Sequence, residues 1–143
     1  MMELLAVALG GGLGAAARYG VDQLVPKPWG TLVINMAGSF ALGLIVAILF
    51  NDGALAASAV SYHLLGTGFC GGFTTFSTAS LEAVKIGRTD DRLNGGTYTM
   101  LMLAASVLSA ALGMAIGTAR GPRAAPHRGG AAARRCPRAS RPL

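Results

Sequence analysis

Charged side chains are spaced so that long apolar runs lie between them. Asp, Glu, Lys and Arg are missing from residues 28–51, 53–81 and 93–119, and a shorter uncharged run covers 4–17 before Arg18. A helix needs about 20 mostly apolar residues to cross a bilayer. Residues 30–50 and 97–118 therefore predict spans, and 53–81 has room for a third. Residues 3–21 make a fourth if Arg18 lies near an end or faces protein. A secretory leader would carry a basic start, whereas Glu3 is the only charge ahead of Arg18, so this segment is read as a retained first span. The expected fold class is an all-α integral membrane protein with four transmembrane helices, filling 1–119.

Composition agrees, with 52% hydrophobic residues, 13% charged ones and a mean hydropathy of +0.53. The net charge of +6 is a property of one end. Residues 120–143 hold seven arginines and no acid, which leaves five basic and six acidic groups elsewhere, a balance of −1. That Arg/Pro/Gly/Ala-rich tail has too little apolar surface to fold alone and reads as disordered. It could touch anionic lipid or nucleic acid, or be a solvated end that helps set orientation; the second reading is adopted, and no nucleic-acid partner is expected. Cys70 in a span and Cys136 in the tail suggest neither a disulfide framework nor a metal site.

Orientation signals conflict. Lys27, Lys85, Arg88 and Arg92 mark the 22–29 and 85–95 connections as cytoplasmic by the positive-inside rule, while the tail arginines argue the reverse. Such a chain inserts both ways, or depends on its tail or a partner. Four short helices hardly enclose a polar path alone, so a dimer is expected.

Three polar features interrupt the apolar pattern. In GGGLGAAARYG (10–20), small residues suit close helix packing. Arg18 within it is costly in a span and needs water, a carboxylate or carbonyls; it serves as an interface anchor or as a positive vestibule that attracts anions. In GTLVINMAGSFALG (30–43), Asn35 must find partners, either in another helix or as an amide donor facing a pore. In GFCGGFTTFSTASLE (68–82), the pair Gly71-Gly72 weakens a helix by about 1 kcal/mol per residue relative to alanine. The hydroxyls of Thr74, Thr75, Ser77 and Thr78 could bond freed backbone groups. Broken helices at membrane depth occur where they are buried in protein or line a cavity, and there exposed carbonyls hold cations and N–H groups face anions. Either this is an interruption with a bound ion, or a kink satisfied by its own hydroxyls. Phenylalanine edges carry positive charge density. With no lysine or arginine in the middle of spans two to four, an anion there would be held weakly, which suits conduction.

Together these three stretches, in this order and spacing, resemble the Fluc or CrcB family of small dual-topology fluoride channels over roughly residues 3–118. The resemblance implies an antiparallel dimer with two fluoride pores and a structural sodium ion at its centre, held by the backbone carbonyls of Gly71 and Thr74. It assigns Asn35, Phe76, Ser77, Thr78, Tyr98 and Ser106 to the fluoride path, and Arg18 and Glu82 to the vestibule. The implied activity is passive export of cytoplasmic fluoride across the cell membrane, which relieves fluoride toxicity and involves no enzyme chemistry. One departure stands out: Ala79 occupies the position where the family motif usually has a second phenylalanine. Two assemblies follow from that, a homodimer, or a heterodimer with a second family member in which this chain is a non-conducting partner. A third alternative, a proton-coupled four-helix exporter, needs a carboxylate inside a span, and here Glu3 and Glu82 are expected at span ends.

Overall fold

The structure, a computed structural model, describes residues 1–27, 29–51, 59–89 and 94–119; the expectations for the tail at 120–143 and for Arg92 lie outside the described residues. Every regular element among the described residues is helical. Helix α1 covers Met2–Leu24 and α2 covers Trp29–Asn51. A third helical course starts as α3 (Ala59–Tyr62), loosens into a π-helical stretch over His63–Cys70, and ends as α4 (Gly71–Phe73). After Thr74 and Thr75, α5 runs Phe76–Thr89, and α6 covers Gly95–Ala119.

Local chemistry explains several boundaries. Helix α1 stops at Val25, which is extended (φ −114°, ψ 122°), the conformation favoured just before a proline. Asn94 starts α6 by accepting the Gly96 N–H on its side-chain oxygen at 3.0 Å, an ordinary N-cap. Among the described residues, three helices are long and apolar enough to cross a membrane: Met2–Leu24, Trp29–Leu49 and Gly95–Ala119.

The expected third span at 53–81 takes a different form. Its helical course runs 59–89, is divided at Thr74-Thr75, and reaches past Lys85 and Arg88. Those two cations therefore belong to α5, not to a connecting loop. Glu82 lies in the middle of α5 and is buried. The 81–86 stretch LEAVKI is made largely of helix-favouring residues, so the helix continues where the apolar run ends.

Packing follows the small residues. Gly10 and Gly14 of α1 lie directly on the backbone carbonyls of Leu64 and Phe69, where a Cβ would collide. These contacts rise together in number, so α1 and the 59–73 course run in the same direction. Gly43 of α2 and Gly113 of α6 make a reciprocal crossing, each against the other helix's backbone at Ala110 and Phe40. Close backbone approach of this kind is how helices associate in lipid, where apolar burial gives no advantage. The burial pattern is inverted relative to a soluble protein: Thr31, Asn35, Thr75 and Glu82 are buried, while Leu4, Leu9, Leu13, Leu101 and Leu108 face outward.

Candidate functional site

The interruption between α4 and α5 is held open by one side chain. Thr74 is extended (φ −74°, ψ 160°), which turns the chain out of the helical path. Its N–H and hydroxyl both bond back to the Cys70 carbonyl, at 3.0 and 2.9 Å. A continuing helix would next send the Thr75 N–H to the Gly71 carbonyl. That N–H goes instead to the side-chain oxygen of Asn35 at 2.9 Å, and the Asn35 amide donates to the Thr75 carbonyl at 3.1 Å. Asn35 thus satisfies both backbone groups of Thr75, and the Gly71 carbonyl loses its ladder donor.

Thr75 also starts the next helix. Its hydroxyl oxygen accepts the Thr78 N–H at 3.3 Å, the N-cap position three residues ahead, and lies 3.1 Å from the Thr78 hydroxyl and 3.4 Å from that of Ser77. The hydroxyls of this motif therefore repair the broken ladder. The Thr74 carbonyl, outside either ladder, accepts a long bond from Arg18 Nη1 at 3.5 Å.

Two stripes at helical spacing complete the site. Thr31 and Asn35 are one turn apart on α2, as are Tyr98 and Met102 on α6, so each pair shares a face. The Asn35 amide touches Met102 Sδ at 3.6 Å. One turn away, Glu82 of α5 accepts the Thr31 hydroxyl at 2.9 Å on Oε1 and the Tyr98 hydroxyl at 3.0 Å on Oε2. A carboxylate with two hydroxyl donors is partly compensated for its burial. Beside these stripes an open-sided cavity of about 540 Å³ is walled in part by Asn35, Gly71, Thr74, Thr75, Phe76, Ala79, Tyr98 and Ser106.

The sequence-derived residues therefore fall into two groups. Asn35, Phe76, Tyr98, Ser106, Gly71 and Thr74 share the cavity wall. Ser77, Thr78, Glu82 and Arg18 each stand one polar contact behind it, reaching Thr75, Tyr98 or Thr74. Phe76 is 85% exposed in the single chain. Thr31 and Met102 are central to the geometry and were not among the expected site residues, while Thr75 was expected only as one of the hydroxyls that bond freed backbone groups. Their signal was spacing: Thr31 precedes Asn35 by four, Met102 follows Tyr98 by four, and Thr75 stands three before Thr78 as an N-cap would.

Comparison with known proteins fixes the family. The CrcB-like protein, Camphor Resistance (CrcB) profile matches residues 5–114, which include most of α1 and everything around the Asn35–Thr75 pair. The chain belongs to the CrcB family. Its relatives include the fluoride-specific ion channel FluC 2 of Cutibacterium acnes, 49% identical over 123 residues, covering 82% of this chain and 98% of the relative. The fluoride-specific ion channel FluC of Rhizobium leguminosarum bv. trifolii is 38% identical over 125 residues, covering 81% and 96%. That of Hyphomonas neptunium is 41% identical over 123 residues, covering 80% and 96%. With its long apolar helices, this CrcB chain is a multi-pass protein of the cell membrane, and its family consists of channels, not enzymes.

Proposed function

We propose that this CrcB chain forms a fluoride-selective channel that lets cytoplasmic fluoride leave passively, as an antiparallel dimer with two pores. The observation that carries the reading is the Asn35–Thr75 pairing, which holds a helix interruption against a cavity. An interrupted helix is tolerated at membrane depth where it borders such a space, and the 59–89 course serves as the fourth crossing in this reading. The cavity wall offers an amide, hydroxyls and the Phe76 ring, and among the described residues no lysine or arginine lines it. Fluoride passing there meets several weak donors, and no lysine or arginine of the wall itself traps it, which favours rapid exit.

A structural sodium ion fits the break. The Gly71 carbonyl has lost its ladder donor and the Thr74 carbonyl lies outside both helices, so two oxygens are free of helical duty. Hard cations take oxygen ligands, and carbonyls at unwound segments are a recurring sodium site. Two oxygens are few for one ion; a second chain related by symmetry brings four. Bound there, the ion would supply positive charge that ties two breaks together.

The test is fluoride efflux from liposomes holding this chain alone, read with a fluoride electrode beside a chloride control. Fluoride loss without chloride loss is expected, and it should need no pH gradient. Two observations keep other readings in play, and the same assay separates them. Ala79 lies on the cavity wall with Phe76, so a pore of two identical chains lacks a ring, and silence from well-folded protein would indicate a second family member. Glu82 is buried within α5, a carboxylate of the kind that a proton-coupled exporter uses; efflux that follows an imposed pH gradient would favour that mechanism.

A further inference from the structure

Arg18 makes a choice that the pore reading does not explain. One turn ahead of it on α1 lies Asp22, a natural partner for an arginine at this spacing. Among the described residues the two form no ion pair, and the buried Oδ1 of Asp22 has no hydrogen-bond partner. The guanidinium instead reaches the Thr74 carbonyl, 56 residues away in sequence. Packing sets this depth: Gly14, one turn before Arg18, lies against the Phe73 N–H, so Arg18 is level with the break itself. A half-buried, uncompensated cation is thus aimed at one of the two oxygens left outside the helical ladders.

We propose that Arg18 is a tethered cation of the helix break, competing with free sodium for the Thr74 carbonyl and so setting how much sodium the site requires. The inference rests on the sodium site proposed above. A carbonyl oxygen has two lone pairs, so guanidinium and ion share it in geometry but repel in charge. Like charges this close disfavour one another, and removing the guanidinium charge strengthens cation binding by about tenfold. Arg18 also holds the carbonyl in place when no ion is bound, which keeps the interruption formed before two chains meet.

The experiment uses the full chain purified in choline, with thermal melting followed as sodium is added. Arg18→Gln keeps a donor for the Thr74 carbonyl and removes the charge; its half-maximal stabilisation is expected at about tenfold lower sodium than wild type. Arg18→Lys keeps a charge on a shorter reach and is expected between the two. A sodium midpoint for Arg18→Gln equal to or above that of wild type overturns the proposal, as does a midpoint for Arg18→Lys above wild type. A sodium response in Arg18→Gln that wild type lacks supports it, since the tethered charge then replaces the ion. If neither wild type nor Arg18→Gln melts differently in sodium and choline, the sodium site itself is wrong and the competition falls with it.

Discussion

At the scale of single residues, Asn35 does two jobs that its chemistry alone left open. It bonds between helices, and its partner is the one residue whose backbone groups must be satisfied if the helix is to break. Asn35→Ala leaves two buried backbone groups unpaired, each costing about 1–3 kcal/mol. We expect a lower melting temperature together with fluoride efflux down at least about tenfold, a fall of ~1.4 kcal/mol or more in barrier terms. Efflux equal to wild type would remove Asn35 from the path. Tyr98 and Glu82 form a second unit, since the Tyr98 hydroxyl proton is directed at the carboxylate. If the hydroxyl acts through Glu82, Tyr98→Phe and Glu82→Gln should be non-additive, with a coupling of about 0.5–3 kcal/mol in a double-mutant cycle on melting. Additive losses would mean that the two groups work separately.

Elements show where the sequence was legible and where it was not. The uncharged runs at 28–51 and 93–119 match α2 and α6 within a few residues, because spans of a membrane must be apolar throughout. The third course was harder to read. Its first part is irregular, with a π-helical stretch over His63–Cys70, and its second part continues into Lys85 and Arg88, where charge suggested a loop. A charge count follows solvent exposure, whereas helix continuation follows backbone bonding, and in α5 the two part company after Leu81. The interruption was legible as the stretch GGFTT at 71–75, and within it the helix parts at Thr74-Thr75, where Asn35 can reach. The partner that decides the position lies 40 residues away and leaves no local trace. The glycines of α1 were readable as packing residues, and they carry a prediction. A Cβ at Gly14 would meet the Phe69 carbonyl and the Phe73 N–H, so Gly14→Val forces α1 away from the break. Overpacking of this kind costs about 1–3 kcal/mol. We expect a clear drop in melting temperature in detergent, and a variant as stable as wild type would show that the contact is not tight.

For the molecule as a whole, buried polar groups and outward leucines describe a chain built for lipid, but one surface does not fit lipid alone. The open-sided cavity presents hydroxyls, freed carbonyls and the strongly exposed Phe76 on one side. Exposed carbonyls and hydroxyls are expensive against hydrocarbon, and that cost supports the proposed dimer, in which a second chain covers this side. Phe76 and Ala79 are three apart in α5, neighbours on its surface, and both line the cavity. A ring at 79 would therefore stand beside that of Phe76 and present a second edge to the same space. In a dimer of two identical chains, Ala79→Phe adds one ring per pore, and we expect fluoride efflux from liposomes to rise several-fold with chloride still retained. The opposite change, Phe76→Ile, keeps apolar bulk without the polar ring edge; it should lower efflux by about tenfold or more with little change in melting, and undiminished efflux would defeat the aromatic argument. Ala79→Phe also reports on assembly. If this chain conducts only beside a different family member, the substituted chain should fold as before and its efflux alone should stay at the wild-type level, because a ring at 79 does not replace the missing partner. Measured on the same liposomes with and without a co-expressed second chain, the two outcomes distinguish a complete channel from half of one.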